Sequence, residues 1–190
     1  LWDGIKDPYL YSATATLSVN GVEVDRLEKK FGFRSFSIDP KKGFILNGRV
    51  YPLRGVCRHQ DRPGIGNALT KAMHEEDIAI IKEIGANTLR LAHYQHDDYF
   101  YDLCDEAGLV VWAEIPYISR HMPEANANAE SQMKELVYQQ YNHACIVMWG
   151  ISNEITMYGK HKKDMLEFHK KLNDLVHQLD PTRLTTLAVF

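Results

Sequence analysis

At 190 residues, with a formal net charge of −3 and a pI near 6.3, the chain lacks the surplus of Lys and Arg on which nucleic-acid binding draws. Hydrophobic residues at 45%, charged residues at 25% and aromatics at 11% supply enough apolar matter for a buried core, which excludes a disordered or collagen-like chain. No apolar run approaches the roughly 18 residues of a membrane helix, and Leu1-Trp2-Asp3-Gly4 has neither the basic nor the apolar region of a signal peptide. A soluble, cytoplasmic protein is expected, with neither a membrane nor nucleic acid as partner.

The first residues alternate in short, turn-punctuated runs. Tyr9-Leu10-Tyr11 leads into Ala15-Thr16-Leu17-Ser18-Val19, then Asn20-Gly21, then Val22-Glu23-Val24-Asp25, and Asn-Gly between alternating runs predicts a hairpin. A third run, 31–38, alternates in the same way and is expected to be one strand with one face buried. Together these read as the tail of a β-sandwich. After the turn at Asp39-Pro40-Lys41-Lys42-Gly43, residues 44–51 predict a second hairpin on Asn47-Gly48. The domain boundary is placed here, with a sandwich portion over 1–47 and a second domain over 48–190. A first residue of Leu and a final strand-like run, 184–190, suggest a piece of a longer protein.

From Leu53 the texture changes to short apolar runs separated by segments of 3.6-residue periodicity, the pattern of βα units on a parallel sheet. Strands are predicted at 53–57, 88–92, 109–113, 145–149 and 185–189, and helices at about 73–84, 97–107, 129–141 and 163–179. Gly85 and Gly108 stop the first two helices and Pro181 follows the last, whose apolar stripe is Met165, Phe168, Leu172, Leu175 and Leu179. Cys57, Cys104 and Cys145 each lie in apolar stretches and are expected to be reduced core residues.

Such units fit a doubly wound sheet or a (β/α)8 barrel. No G-x-G-x-x-G or Walker loop favours the former. Polar residues follow each strand but the last: Arg58-His59-Gln60-Asp61, His93-Tyr94-Gln95-His96, Glu114, and Asn153-Glu154. Barrel enzymes assemble their sites from the C-terminal ends of several strands in this way. The α/β fold expected is therefore the first half of a (β/α)8 TIM barrel.

The sharpest segment is Asn142-His143-Ala144-Cys145-Ile146-Val147-Met148-Trp149-Gly150-Ile151-Ser152-Asn153-Glu154, in which a buried strand delivers an amide and a carboxyl side by side. Glycoside hydrolysis needs a carboxylic acid that protonates the leaving oxygen, and an amide beside it suits a sugar hydroxyl. Taken alone, the pair also suits a turn and a cap. Arg90 and His93, taken alone, also suit a structural ion pair with Asp61 or Glu114. Trp112 and Trp149 read as barrel core, with Trp112 the nearer of the two to any ligand.

Asn142 through Glu154 closely resembles the acid/base signature of glycoside hydrolase family 2, which includes β-galactosidases and β-glucuronidases. Asn87-Thr88-Leu89-Arg90-Leu91-Ala92-His93-Tyr94, followed by Cys104 through Trp112, resembles the family's other signature, with Leu91 and Gln95 departing from the usual small residue and proline. Gly55-Val56-Cys57-Arg58-His59-Gln60-Asp61 is similar to its first-strand motif, with Gln60 in place of an acid. Leu1 to Tyr11 and Phe31-Gly32-Phe33-Arg34 resemble the end of the immunoglobulin-like β-sandwich domain that precedes the barrel.

The resemblance implies that Glu154 is the general acid/base, that Asn153 binds the sugar 2-hydroxyl, and that His59, Arg90 and His93 position the sugar and the second carboxylate. Glu114, from its place at a strand end, is expected to buffer the site's charge. The resemblance also implies that the nucleophile, near the end of the seventh barrel strand, lies beyond this chain. The loop Ile115-Pro116-Tyr117-Ile118-Ser119-Arg120-His121 has no acid where some family members hold magnesium, so no metal and no cofactor are expected. The expected whole is part of a retaining β-galactosidase, inactive by itself. A β-glucuronidase, a non-hydrolytic sugar-binding homologue and a self-associating module are the alternatives. A β-galactoside or related carbohydrate is the expected ligand, and open strand edges suggest a homo-oligomer.

Overall fold

The computed structural model describes residues 1–158 and 162–189; Phe190, last in the run 184–190, lies outside them. Strands β1 (Tyr11–Val19) and β2 (Val22–Phe31) pair antiparallel across Asn20 and Gly21, whose φ angles of 54° and 79° are those a two-residue hairpin turn of this hand requires. The expected single strand over 31–38 is broken. β2 ends at Phe31 and β3 (Phe36–Asp39) starts afresh, because Gly32 passes so close to the core that a Cβ there would lie 2.9 Å from Trp2 Cβ and from Ala144 Cβ. Arg34 then leaves the strand path to donate to the carbonyls of Ala144 and Ile146. β3, β4 (Gly43–Leu46) and β5 (Arg49–Val50) form a three-stranded antiparallel sheet, with Asn47-Gly48 as the second hairpin turn.

The remaining strands are β6 (Gly55–Arg58), β7 (Thr88–Leu91), β8 (Val110–Glu114), β9 (Ile146–Asn153) and β10 (Leu184–Ala188). They form a parallel five-stranded sheet in the order β10-β9-β8-β7-β6, so every sequence neighbour is a sheet neighbour. A doubly wound sheet reverses its order at a switch point. None occurs here, and the sheet is that of a singly wound half barrel. Helices α1 (Lys71–Glu83), α2 (Asp98–Ala107), α3 (Asn126–Gln140) and α4 (Lys162–Leu179) cover its outer face. None of the described helices is long and apolar enough to cross a membrane.

Alternation assigns the two faces. Leu89 and Leu91 of β7 are buried under the helices, while Thr88 and Arg90 are half-buried on the inner face. That inner face bounds an open space of about 500 Å³ lined by Gly55, Thr88, Arg90, Trp112 and Met148. Cys57 borders the same space and is exposed, which corrects the expectation of three buried thiols; Cys104 and Cys145 are fully buried. The buried stripe of α4 is Met165, Phe168, Leu172 and Val176, with Leu175 and Leu179 partly buried beside it.

Helix α2 is capped at both ends, by a side chain at its start and by backbone conformation at its close. Asp97 accepts a hydrogen bond from the Tyr99 amide at 2.9 Å, and Gly108 closes the helix at φ 71°. Gly108 also lies directly against the backbone of Gly4, so a Cβ there would overlap the Gly4 carbonyl. Gly108→Ala is expected to cost about 1–2 kcal/mol from the left-handed conformation alone, with the displaced N-terminal segment adding to it. A thermal midpoint within a degree of wild type would contradict this packing.

Candidate active site

Four strands end at one rim, and what each delivers follows from where its alternation stands when the strand stops. Arg90 lies in β7 opposite Cys57 of β6 and Trp112 of β8, all on the inner face. Glu114 ends β8 on that same face, opposite Gly150 of β9. In β9 simple alternation from Gly150 would send Ser152 inward and Asn153 outward. The pairing with β10 instead steps from Thr186↔Gly150 to Leu187↔Ser152, leaving Ile151 as an extra residue. This bulge resets the phase. Ser152 turns to α4, with its hydroxyl 2.7 Å from His169 Nε2, and Asn153 turns inward.

The inward side chains form one hydrogen-bonded cluster. Arg90 donates through Nε to Glu114 Oε2 at 3.0 Å and through Nη2 to Glu114 Oε1 at 3.1 Å. Arg90 Nη2 also donates to Asn153 Oδ1 at 2.6 Å, and its guanidinium lies 4.3 Å from the Trp112 ring centroid. His93, after the cis peptide Ala92-His93, places Nδ1 2.5 Å from Glu114 Oε1. The His59 ring stands edge-on to His93 at 5.0 Å and is itself exposed. Glu114 is fully buried, so its oxygens are met by the Arg90 guanidinium and by His93 Nδ1 rather than by water.

Glu154 follows Asn153 at φ 50°, half-buried, with its amide donating to the Ala188 carbonyl at 2.8 Å. The Asn153 carbonyl accepts from Ser119 N at 2.9 Å, and Asn153 N donates to the Tyr117 carbonyl at 2.9 Å. The loops after β8 and β9 are thus tied where the amide and carboxyl emerge. Beside them Arg120, His121, Met122, Ile155 and Tyr158 line a cleft of about 450 Å³.

The structure therefore brings together Arg90, His93, Asn153 and, by ring contact, His59, with Glu154 adjoining in sequence. Of the two acids offered as ion-pair partners for Arg90 and His93, the partner is Glu114. Glu114 is also the site residue least marked in the sequence, since a buried strand-end carboxylate has no motif of its own. Gly150 is a second such residue: a Cβ on it would lie 2.5 Å from Glu114 Cβ and closer still to Trp112 Nε1.

Two of the polar residues after the strands serve elsewhere. Arg58 points outward under α1, donating to Asp77 Oδ2 at 2.7 Å and lying 3.7 Å from the Phe100 centroid. His96 donates from Nε2 to the Ala92 carbonyl and accepts from Arg58 Nη1 at 3.0 Å. Burial, reinforced by the Arg58 charge, pushes the His96 imidazole down to about 3, so it is neutral and structural.

Among the described residues, Asp105, His143 and Cys145 come within 4.8 Å of one another with metal-ligating atoms. Asp105 already accepts from Cys145 N at 2.7 Å and contacts His143 Nδ1 at 2.8 Å, and burial pushes the Cys145 thiol up. The group clamps the turn before β9. In the loop after β8 the potential ligand His121 has its Nδ1 2.5 Å from the Tyr117 hydroxyl.

Comparison with known proteins places this geometry in context. Residues 38–188 match the family model described as glycosyl hydrolases family 2, TIM barrel domain, and residues 1–34 match that described as glycosyl hydrolases family 2. A β-glucuronidase of Bacteroides fragilis is 43% identical over 99% of this chain and 28% of its own length. A β-galactosidase of Thermoanaerobacterium thermosulfurigenes is 37% identical over 97% of this chain and 25% of its own. Among solved structures, an FMN-binding β-glucuronidase from Facaelibacterium prausnitzii L2-6 superposes with a TM-score of 0.93 at 48% identity, covering 98% of this chain and 29% of that one. The chain thus spans between a quarter and a third of the length of these relatives.

Proposed function

Since the chain belongs to glycosyl hydrolase family 2, we propose that the full-length protein is a retaining β-glycosidase whose acid/base and part of whose sugar-binding surface lie in these residues. The observation that carries the reading is the convergence of β7, β8 and β9 on the Arg90–Glu114–His93–Asn153 cluster, with Glu154 the next residue along. In this reading Glu154 protonates the glycosidic oxygen as the bond to the leaving group breaks. It then removes a proton from the water that releases the sugar.

Asn153 supports that chemistry by its orientation. Arg90 is a donor without acceptors, so the Asn153 oxygen faces it and the amide NH2 is left to donate toward a hydroxyl next to the reacting carbon. His59 and His93 line the sugar's other side. The second carboxylate, about 5–5.5 Å from Glu154 in a retaining enzyme, comes from the remainder of the barrel, which also completes the open inner face.

For the sugar, we favour a β-glucuronide. The relative at 43% identity bears that name. A β-galactoside is the second reading, supported by the β-galactosidase at 37% identity. The test is kcat/KM of the full-length protein on p-nitrophenyl β-D-glucuronide and β-D-galactoside, with the anomer first released followed by NMR. Faster glucuronide turnover with a β-anomeric product is expected. A galactoside preference would replace the first reading by the second, an α-anomeric product would overturn retention, and binding of the sugars without turnover of either would identify a sugar-binding homologue.

A further inference from the structure

We propose that Glu114 is the positioning residue that sets the hydrogen-bonding polarity of the sugar site, making His93 present an acceptor and Asn153 a donor to adjacent hydroxyls of the substrate. The proposal rests on the reading of this cleft as a sugar site. Its basis is the direction in which each hydrogen bond must run.

Nδ1 of His93 lies 2.5 Å from Glu114 Oε1 and 3.3 Å from Arg90 Nη2. The carboxylate is acceptor-only and the guanidinium donor-only, so these neighbours ask opposite things of Nδ1. The shorter contact decides: Nδ1 carries the proton and gives it to Glu114. The Nε2 lone pair is then left to accept a hydrogen bond from a ligand. A carboxylate that fixes a histidine tautomer from behind is a general device for orienting the other ring nitrogen.

The second consequence runs through Arg90. Its Nε and Nη2 both lie on Glu114, which fixes the plane of the guanidinium against the Trp112 ring. In that plane Nη2 reaches Asn153 Oδ1 at 2.6 Å, so the amide is held with its NH2 outward. One buried carboxylate therefore determines an acceptor on β7's loop and a donor at the end of β9. A vicinal pair of sugar hydroxyls, one donating and one accepting, is the chemistry this pair fits. Gly150 makes room for the carboxylate, since a Cβ there would lie 3.0 Å from Glu114 Oε2.

Two measurements on the full-length protein test this. The first needs no variant: a ¹⁵N histidine spectrum at neutral pH, with His93 assigned by comparison with His93→Gln, is expected to show Nδ1 protonated and Nε2 unprotonated. The Nε2–H tautomer or an imidazolium would overturn the proposal whatever the enzyme's substrate. The second uses Glu114→Gln on p-nitrophenyl β-D-glucuronide and galactoside and on their 2-deoxy counterparts. For the glycoside that wild type turns over, kcat/KM is expected to fall about 10- to 100-fold. On its 2-deoxy counterpart the variant is expected to lose far less, because the contact that Asn153 makes is already missing.

An equal loss on both substrates would assign Glu114 a purely structural role and overturn the proposal. Absence of turnover by wild type on any of these glycosides would count against the proposed glycosidase activity, and the tautomer measurement would still decide the polarity of the site.

Discussion

Glu154→Gln in the full-length protein is expected to lower kcat on an alkyl β-glycoside by roughly 10²–10⁴-fold, the span that a general acid contributes. Gln keeps the size of the side chain and can occupy the position after Asn153, so the loss reports the missing proton and not a collapsed loop. The effect depends on the leaving group in a way a structural defect would not reproduce. A dinitrophenolate leaves without protonation, so formation of the glycosyl-enzyme should stay fast. Its release, which needs Glu154 as base, should become slow and appear as a burst followed by a slow steady state. Azide, which attacks without giving up a proton, should restore turnover of that substrate. Uniform loss on both leaving groups, with no burst and no azide rescue, would remove Glu154 from the acid/base role.

Much of this was legible in the sequence. The five parallel strands were found because buried strands need short runs of Val, Ile and Leu, and the helices because their apolar stripes and terminal glycines repeat at known spacings. Arg90, His93 and Asn153 were recognisable because they stand at strand ends inside motifs. What could not be read there depends on phase and on long-range contact. Period-2 reasoning sends Ser152 inward, and only the register change against β10 shows that Ile151 is inserted and Asn153 is the inward residue. Glu114 as a string of letters is one acid after a strand; its significance comes from Arg90 and His93, which lie 24 and 21 residues away. The run 31–38 alternates well, yet Arg34 is drawn out of the strand by carbonyls of Ala144 and Ile146 that local pattern cannot foresee. The rim acquires its polar groups through these distant pairings, so the half barrel's framework is more local in origin than its site.

The other large effect is expected on stability, at the opposite end of β9. Trp149 Nε1 donates to Asp180 Oδ2 at 2.9 Å, Arg183 Nη1 donates to the same oxygen at 2.7 Å, and Thr182 donates to Oδ1 through its amide and hydroxyl. Arg183 then spends its other donors on the carbonyls of Ile146, Tyr141 and His143. This buried pair therefore fixes the turn that launches the strand carrying Asn153. Burial by itself would raise the Asp180 carboxyl, but the hydrogen bonds from Thr182, Arg183 and Trp149, with the Arg183 charge, bring it down to about 2. Removing the carboxylate in Asp180→Ala leaves Arg183 buried and uncompensated, for an expected loss of about 3–5 kcal/mol in unfolding free energy. Thr182→Ala, which removes one neutral donor, is expected to cost only about 1 kcal/mol. The sign of the pH dependence follows from the depressed value. Asp180 binds its proton more weakly folded than unfolded, so its contribution is complete above about pH 4 and is lost as the pH falls through about 2. The stability gap between wild type and Asp180→Asn should accordingly be constant from pH 5 to 7 and close below pH 4. A gap that stays flat down to pH 2, or an Asp180→Ala penalty no larger than that of Thr182→Ala, would mean that the buried pair does not hold the turn.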